Sequence, residues 1–97
     1  MQRTTLQKPN INKSIEEGFK EFYRYSKVKN LSDATLDYYQ VTIDTFENFM
    51  PLSTQISSIN KNTIDEYILF LRKKSITDIS INTYLRGMRV ILYYFME

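Results

Sequence analysis

The sequence predicts an all-α fold, a compact bundle of four helices. The 97 residues include only two glycines and two prolines, while 42% are hydrophobic and 14% are aromatic. This composition argues against disorder and against a turn-rich β fold. Apolar residues recur at helical spacing in four stretches, and no stretch shows the alternation typical of a half-buried strand. A chain of this length forms one small domain around one core.

Four helices are predicted near residues 14–26, 32–50, 60–74 and 80–96. Amphipathic helices joined by short links favour a compact bundle. In the first three helices, the side chains expected to face the core are mostly apolar: Ile15, Phe19, Phe22 and Ser26; Leu36, Tyr39, Ile43, Phe46 and Met50; Ile64, Tyr67, Ile68 and Leu71.

Capping residues indicate where these helices begin and end. Ser14 and Glu17 have the spacing of a capping box, with the serine at the N-cap. Ser32 and Asn60 are the expected N-caps of the second and third helices. Pro51 must follow the second helix, because the residue before a proline is disfavoured in helical conformation.

The last helix, predicted from an N-cap at Ser80 to Met96, is the element around which the others should pack. Gly87 lies in its middle and costs about 1 kcal/mol relative to alanine, which predicts a close contact with another helix there. At about 100° per residue, one broad face is too apolar to remain in water, so the rest of the chain must cover it. That face carries Ile81, Tyr84, Leu85, Met88, Ile91, Leu92 and Phe95.

The opposite face of the last helix carries a polar stripe, the candidate binding surface. Its members follow at i, i+4, i+7 and i+11: Asn82, Arg86, Arg89 and Tyr93. Guanidinium, amide and phenol groups are those that hold phosphates and read base edges. A stripe of this kind is, by itself, more often simply a solvated polar face.

The second predicted helix has two further stripes. Asp33, Asp37 and Asp44 make an acidic outer face, most simply explained by solvation. Beside the core edge lies a strip of hydroxyls that can either touch phosphates or, as is more common, pack between helices: Thr35, Tyr38, Thr42 and Thr45.

Residues 1–12 are predicted to be a flexible basic tail or linker, with residues 13–97 forming the domain. The net charge of +2 is unevenly distributed: residues 20–29 and 72–89 are basic, and residues 33–66 are acidic. This asymmetry is compatible with an anionic partner on one side of the domain.

The chain carries no catalytic constellation. It has no cysteine and no histidine, so a disulfide framework, a thiolate metal site, a Ser-His-Asp triad and the usual general base are all excluded. A glycine-rich phosphate loop is excluded as well. We therefore expect no cofactor, no metal and no enzymatic activity of this chain. No apolar run is long enough for a membrane span, and the absence of cysteine suits a reducing cytoplasm.

Two segments resemble a known family. The run NLSDATL from Asn30 to Leu36, with Tyr39 three residues on, resembles the start of the second helix in the core-binding domain of tyrosine recombinases, the phage-integrase type of site-specific recombinase. The segment Asn82–Arg89, followed by Leu92 and Phe95, resembles the final helix of that domain. The order and spacing of these segments extend the resemblance over residues 13–97.

The resemblance implies a SAM-like four-helix domain that binds one face of a recombination site, while a separate C-terminal domain cuts the DNA. In such proteins the second and fourth helices approach the major groove. The resemblance, carried over position by position, implies DNA-binding residues on both helices and on the link before the second helix. On the second helix they are Ser32, Thr35, Tyr38 and Tyr39, and on the last helix Asn82, Arg86 and Arg89. On the link they are Lys27 and Lys29.

The implied partners are double-stranded DNA, the catalytic domain of the same parent chain and other recombinase protomers in a synaptic complex, with no membrane partner. The setting would be the cytoplasm of a bacterium, with the protein encoded by the bacterium or a phage and serving a mobile element. The alternative is a small helical protein-interaction module that docks an acidic partner through Arg86, Arg89 and Tyr93. Salt-dependent binding to arbitrary duplex DNA distinguishes the two, because phosphate contacts release counterions.

Overall fold

The computed structural model describes residues 13–96. In chain order its helices are α1 (Ile15–Val28), α2 (Asp33–Glu47), α3 (Lys61–Lys73) and α4 (Asp78–Phe95), with a 3₁₀ turn at Ile56–Ser58 between α2 and α3. The described residues form no strand, only an isolated antiparallel bridge between Ser14 and Gln55. The prediction of an all-α four-helix bundle is confirmed. Residues 1–12, for which a tail or linker is predicted, lie outside the described residues.

Three of the four helix starts agree with the sequence. At α1 the Ser14 hydroxyl accepts the Glu17 N–H (3.2 Å) and the Glu17 carboxylate accepts the Ser14 N–H (2.9 Å), which completes the capping box. The hydrogen bond from the Ser14 N–H lowers the pKa of the Glu17 carboxyl. Ser32 caps α2, and Asn60 caps α3 by accepting the N–H of Thr63 at 3.0 Å.

The start of α4 corrects the prediction. The helix begins at Asp78, and Thr77 rather than Ser80 is its N-cap. The Thr77 hydroxyl accepts the Ser80 N–H at 3.2 Å, so Ser80 is the third helical residue. The earlier start places the Asp78 carboxylate at the positive end of the helix, where it also pairs with Arg72 at 3.3 Å.

This difference gives a direct test. We expect Thr77→Ala to lower the free energy of unfolding by about 0.5–2 kcal/mol, because it leaves a first-turn N–H without its cap. Ser80→Ala, the matched control, should change stability much less. Urea unfolding of both variants measures the two values, and a larger loss for Ser80→Ala would restore Ser80 as the cap.

The end of α2 also differs from the prediction, since the helix ends at Glu47 rather than at residue 50. Pro51 disfavours helical conformation at Met50. Phe49 packs against α3, with its ring centroid 5.3 Å from that of Tyr67 and 5.4 Å from that of Phe70. The residues after α2 are therefore used for packing against α3.

The core receives side chains from all four helices. Phe46 of α2 and Met88 of α4 are 0% and 1% exposed, as their places on the predicted inner faces require. Partly buried members of the predicted faces pack around this centre: Tyr39, Met50, Ile68, Tyr84 and Leu92. Ile64 is also partly buried. The other members are buried: Ile15, Phe19, Phe22, Ser26, Leu36, Ile43, Tyr67, Leu71, Ile81, Leu85, Ile91 and Phe95.

The start of α1 is bonded to the connection between α2 and α3. The Ile15 N–H donates to the Thr54 carbonyl at 2.9 Å, and the Ile56 N–H donates to the Lys13 carbonyl at 2.9 Å. The first of these bonds satisfies a donor that a helix start leaves free.

Candidate nucleic-acid interface

The polar stripe of α4 lies on the surface, opposite the buried face of the helix. Asn82, Arg86, Arg89 and Tyr93 are all exposed, with Tyr93 at 64%. Within residues 13–96, neither Arg86 nor Arg89 forms an ion pair. Both guanidinium groups are therefore available to an anion.

The helix that packs most extensively against α4 is α2. Gly87 lies at their closest approach: a Cβ atom on it would lie 2.6 Å from Thr42 Oγ1 and 2.9 Å from the Tyr38 hydroxyl oxygen. Thr42 is fully buried there, and its hydroxyl donates to the Tyr38 carbonyl at 2.8 Å. The close helix contact predicted at Gly87 is confirmed, and Thr42 serves packing.

Tyr38 joins α2 to the backbone of α4. Its hydroxyl donates to the Thr83 carbonyl at 2.5 Å. Burial raises the pKa of the Tyr38 phenol above its ordinary value, and the positive charge of Arg86 opposes that rise. Tyr38 and Arg86, placed in the candidate site on different helices, are thus close enough to interact electrostatically.

The other α2 residues of the candidate site, Ser32 and Thr35, form the start of that helix. The Ser32 hydroxyl caps the Thr35 N–H at 3.2 Å, and the two side-chain oxygens are 3.0 Å apart. Ser32 is exposed and Thr35 is half-buried. Thr35 lies about one turn before Tyr38 on α2.

The candidate lysines correct the prediction of a link: α1 extends to Val28, so Lys27 lies in its last turn and Lys29 is its C-cap. The Lys27 ammonium is 5.4 Å from the centre of the Tyr23 ring, and that of Lys29 is 5.3 Å from the centre of the Tyr25 ring. Both lysines are exposed. Such contacts hold a cation over an aromatic face at modest energy and leave its outer side accessible to phosphate.

On its other side α4 borders a groove of about 470 Å³ against α3. Arg89 and Tyr93 line this groove together with Lys61. The stripe therefore borders both neighbouring helices: Arg86 is near Tyr38 of α2, whereas Arg89 and Tyr93 border the groove against α3. The apolar part of the groove is formed by Ile56, Ile59, Ile64, Ile68, Leu85, Met88, Leu92, Phe95 and Met96.

Comparison with known proteins identifies the family. The family model described as the phage integrase SAM-like domain matches residues 17–94. The chain belongs to this family. No curated protein and no solved structure matches the chain.

The family assignment confirms the resemblance to the N-terminal domain of tyrosine recombinases. In this SAM-like domain the match covers nearly all of the four helices, and no catalytic domain is found. No described helix of the SAM-like domain is both long and apolar enough to cross a membrane. Residues 13–96 also contain no cluster of three or more carboxylates placed to hold a metal ion.

The acidic stripe of the SAM-like domain does not face α4. At about 100° per residue, Asp33, Asp37 and Asp44 lie more than a quarter of a turn around α2 from Tyr38 and Thr42. All three carboxylates are exposed. They therefore lie outside the α2–α4 contact that Tyr38 and Arg86 border.

The SAM-like domain also has supporting residues that the sequence did not assign to the site. Thr83 provides the carbonyl that Tyr38 binds, and Lys61 lines the same groove as Arg89. The mid-helix glycine and the hydroxyl strip of α2 indicated in advance that helices pack closely there, but a single sequence does not show which helices are neighbours.

Proposed function

We propose that this SAM-like domain is a non-catalytic DNA-binding domain of a tyrosine recombinase that grips the recombination site during DNA integration or excision. The observation that carries the proposal is the exposed face of α4, on which Asn82, Arg86 and Arg89 follow at helical spacing and both guanidiniums lack a carboxylate partner in the described chain. A helix that exposes an amide and two guanidiniums without carboxylate partners is better explained by nucleic-acid binding than by solvation alone.

The stripe has dimensions that suit a groove of duplex DNA. From Asn82 to Tyr93 it extends about 16 Å along the helix axis. An arginine on such a helix binds a phosphate or recognises guanine, and an asparagine recognises adenine. The stripe would therefore both position the domain on the duplex and recognise its base sequence. At the start of α2, the hydroxyls of Ser32 and Thr35 would add contacts, while Tyr38, whose hydroxyl donates to the Thr83 carbonyl, would border the same surface.

The basic residues outside α4 would act mainly through charge. Lys27 and Lys29 at the end of α1 would add affinity that does not depend on sequence. The isolated domain should bind weakly, since the catalytic domain of the parent chain is expected to complete the grip on DNA. Other recombinase protomers would join in the synaptic complex.

The test is the double variant Arg86→Ala/Arg89→Ala, titrated against duplex DNA at two salt concentrations. We expect roughly a tenfold or greater loss of affinity and a salt dependence flatter by about two units at most, because two phosphate or base contacts are removed. The melting temperature should hardly change, since both side chains are exposed.

The matched control is Lys20→Ala/Arg24→Ala, which removes the same charge from the outer face of α1. It should affect DNA binding much less. A folded Arg86→Ala/Arg89→Ala variant that binds DNA like the parent would refute the proposal for α4. A large fall in its melting temperature would show that the arginines pack against the protein.

A second candidate function is favoured by the groove between α3 and α4. Arg89 and Tyr93 line this groove beside its apolar residues. Aromatic and arginine side chains are enriched at protein interfaces. In this function the domain would dock an acidic protein partner. Affinity for duplex DNA that falls steeply with salt favours the recombinase function, and its absence favours the protein partner.

A further inference from the structure

Gly87 stands where a side chain would separate α2 from α4. A Cβ atom at this position would lie 2.6 Å from Thr42 Oγ1 and 3.0 Å from Thr42 Cγ2. Rotation of the threonine offers no relief, because both branches of the side chain face the glycine and its hydroxyl is bonded to the Tyr38 carbonyl. The helices can therefore approach this closely only with glycine at position 87.

The close approach determines what lies at the surface beside it. It brings the Tyr38 hydroxyl onto the Thr83 carbonyl, one turn before Gly87 on α4. Arg86 directly precedes the glycine, so its position relative to α2 is determined by the same contact. The backbone of α2 and that of Arg86 are thereby held at the spacing that this contact sets.

We propose that Gly87 is a positioning residue for DNA binding: its lack of a side chain sets the spacing at which the start of α2 and Arg86 on α4 contact one duplex together. The proposal rests on the DNA-binding function proposed above. Gly87 itself touches no DNA in this arrangement and acts through Tyr38, Thr42 and Arg86.

The distances around Gly87 indicate how precisely α2 and α4 must be spaced. Ordinary van der Waals contact begins near 3.4 Å, so an alanine at position 87 would force Thr42 away by about 0.8 Å from its 2.6 Å separation. Hydrogen bonds to phosphate tolerate only a range of about 0.5 Å in donor–acceptor distance. A displacement of α2 by this amount would weaken its contacts with a duplex that Arg86 binds at the same time.

The experiment compares Gly87→Ala with Gly18→Ala at a temperature where both are folded. Gly18 is the matched control because its Cβ would meet Ile56 Cδ1 at 2.6 Å and Phe95 Cε1 at 2.8 Å. Both substitutions crowd the packing, but Gly18 lies on α1 and meets α4 only at Phe95, its last residue, rather than at the contact of Gly87 with α2. We expect Gly87→Ala to lose roughly tenfold in affinity for duplex DNA and about one unit of salt dependence, and Gly18→Ala to bind like the parent.

A second variant tests the same idea by restoring the space. Thr42→Ala in the Gly87→Ala background removes both Thr42 atoms that the new methyl group meets and leaves only the Tyr38 hydroxyl oxygen at 2.9 Å, so we expect it to recover part of the lost affinity. If Gly87→Ala does not fold, the double variant decides: DNA binding stronger than that of Arg86→Ala/Arg89→Ala supports the proposal, and binding no stronger than that of the double arginine variant overturns it.

The remaining outcomes are also decisive. Folded Gly87→Ala with unchanged DNA affinity, or an equal loss of affinity in Gly18→Ala, overturns the positioning role. Normal DNA binding by Arg86→Ala/Arg89→Ala would instead overturn the proposed function of α4. The two failures are therefore distinguishable.

Discussion

Replacing Phe46 by alanine should lower the free energy of unfolding by about 3–5 kcal/mol. The side chain is 0% exposed, and its ring packs edge-on against Tyr67 at a centroid distance of 4.8 Å. Removing the ring leaves a cavity between α2 and α3 that the surrounding aromatic side chains fill only in part. A domain of this size has about 5–15 kcal/mol in total, so much of the variant should unfold on mild heating.

The measurement is urea unfolding of the parent and the variant, followed by circular dichroism. Val41→Ala on the same helix is the control, since Val41 is 51% exposed, and it should change stability by no more than about 0.5 kcal/mol. If Phe46→Ala unfolds at the same urea concentration as the parent, the inner face of α2 is assigned incorrectly.

Above a pH of about 10, the ionisation of Tyr67 by itself should lower the free energy of unfolding by about 1.4 kcal/mol per pH unit. The hydroxyl of this residue is buried and has no hydrogen-bond partner among the described residues. Burial raises the pKa of the Tyr67 phenol far above its ordinary value of 10.0, and Tyr84 adds to the rise.

The sign follows from proton counting. Below the ordinary pKa both the folded and the unfolded chain keep the proton, so the phenol contributes no pH dependence. Above it the unfolded chain releases the proton while the folded chain retains it, and stability is lost as the pH rises toward the folded pKa.

Urea unfolding between about pH 9 and pH 11 tests this on Tyr67→Phe. The variant should lose most of this alkaline slope, and at neutral pH it should be more stable by about 1 kcal/mol because an unsatisfied buried hydroxyl is removed. Tyr93→Phe, at an exposed tyrosine, is the control and should keep the slope of the parent. If Tyr67→Phe keeps the full slope of the parent, the Tyr67 phenol ionises freely in the folded parent domain.

The sequence was sufficient wherever local chemistry decides the structure. Ser14, Ser32 and Asn60 begin helices because each has a side-chain oxygen placed to accept a first-turn N–H. It was insufficient at α4, where Thr77 and Ser80 can both cap. The choice there also involves Asp78, whose partner Arg72 lies on another helix.

The candidate site shows the same division. Helical periodicity predicted that Asn82 and Arg86 are exposed, because the buried face of α4 is evident from its apolar residues. Periodicity does not show that Tyr38 binds α4 at Thr83, since that contact depends on which helices are neighbours. The contacts with DNA remain predictions.

The bonds between the start of α1 and the connection after α2 have a consequence for how the domain opens. Helix ends ordinarily fray independently, at almost no free-energy cost. Here the first turn of α1 cannot fray unless Thr54 and Ile56 detach as well. The amide protons of Ile15 and Ile56 should therefore exchange with solvent in one cooperative opening, so that the start of α1 is protected together with the connection after α2.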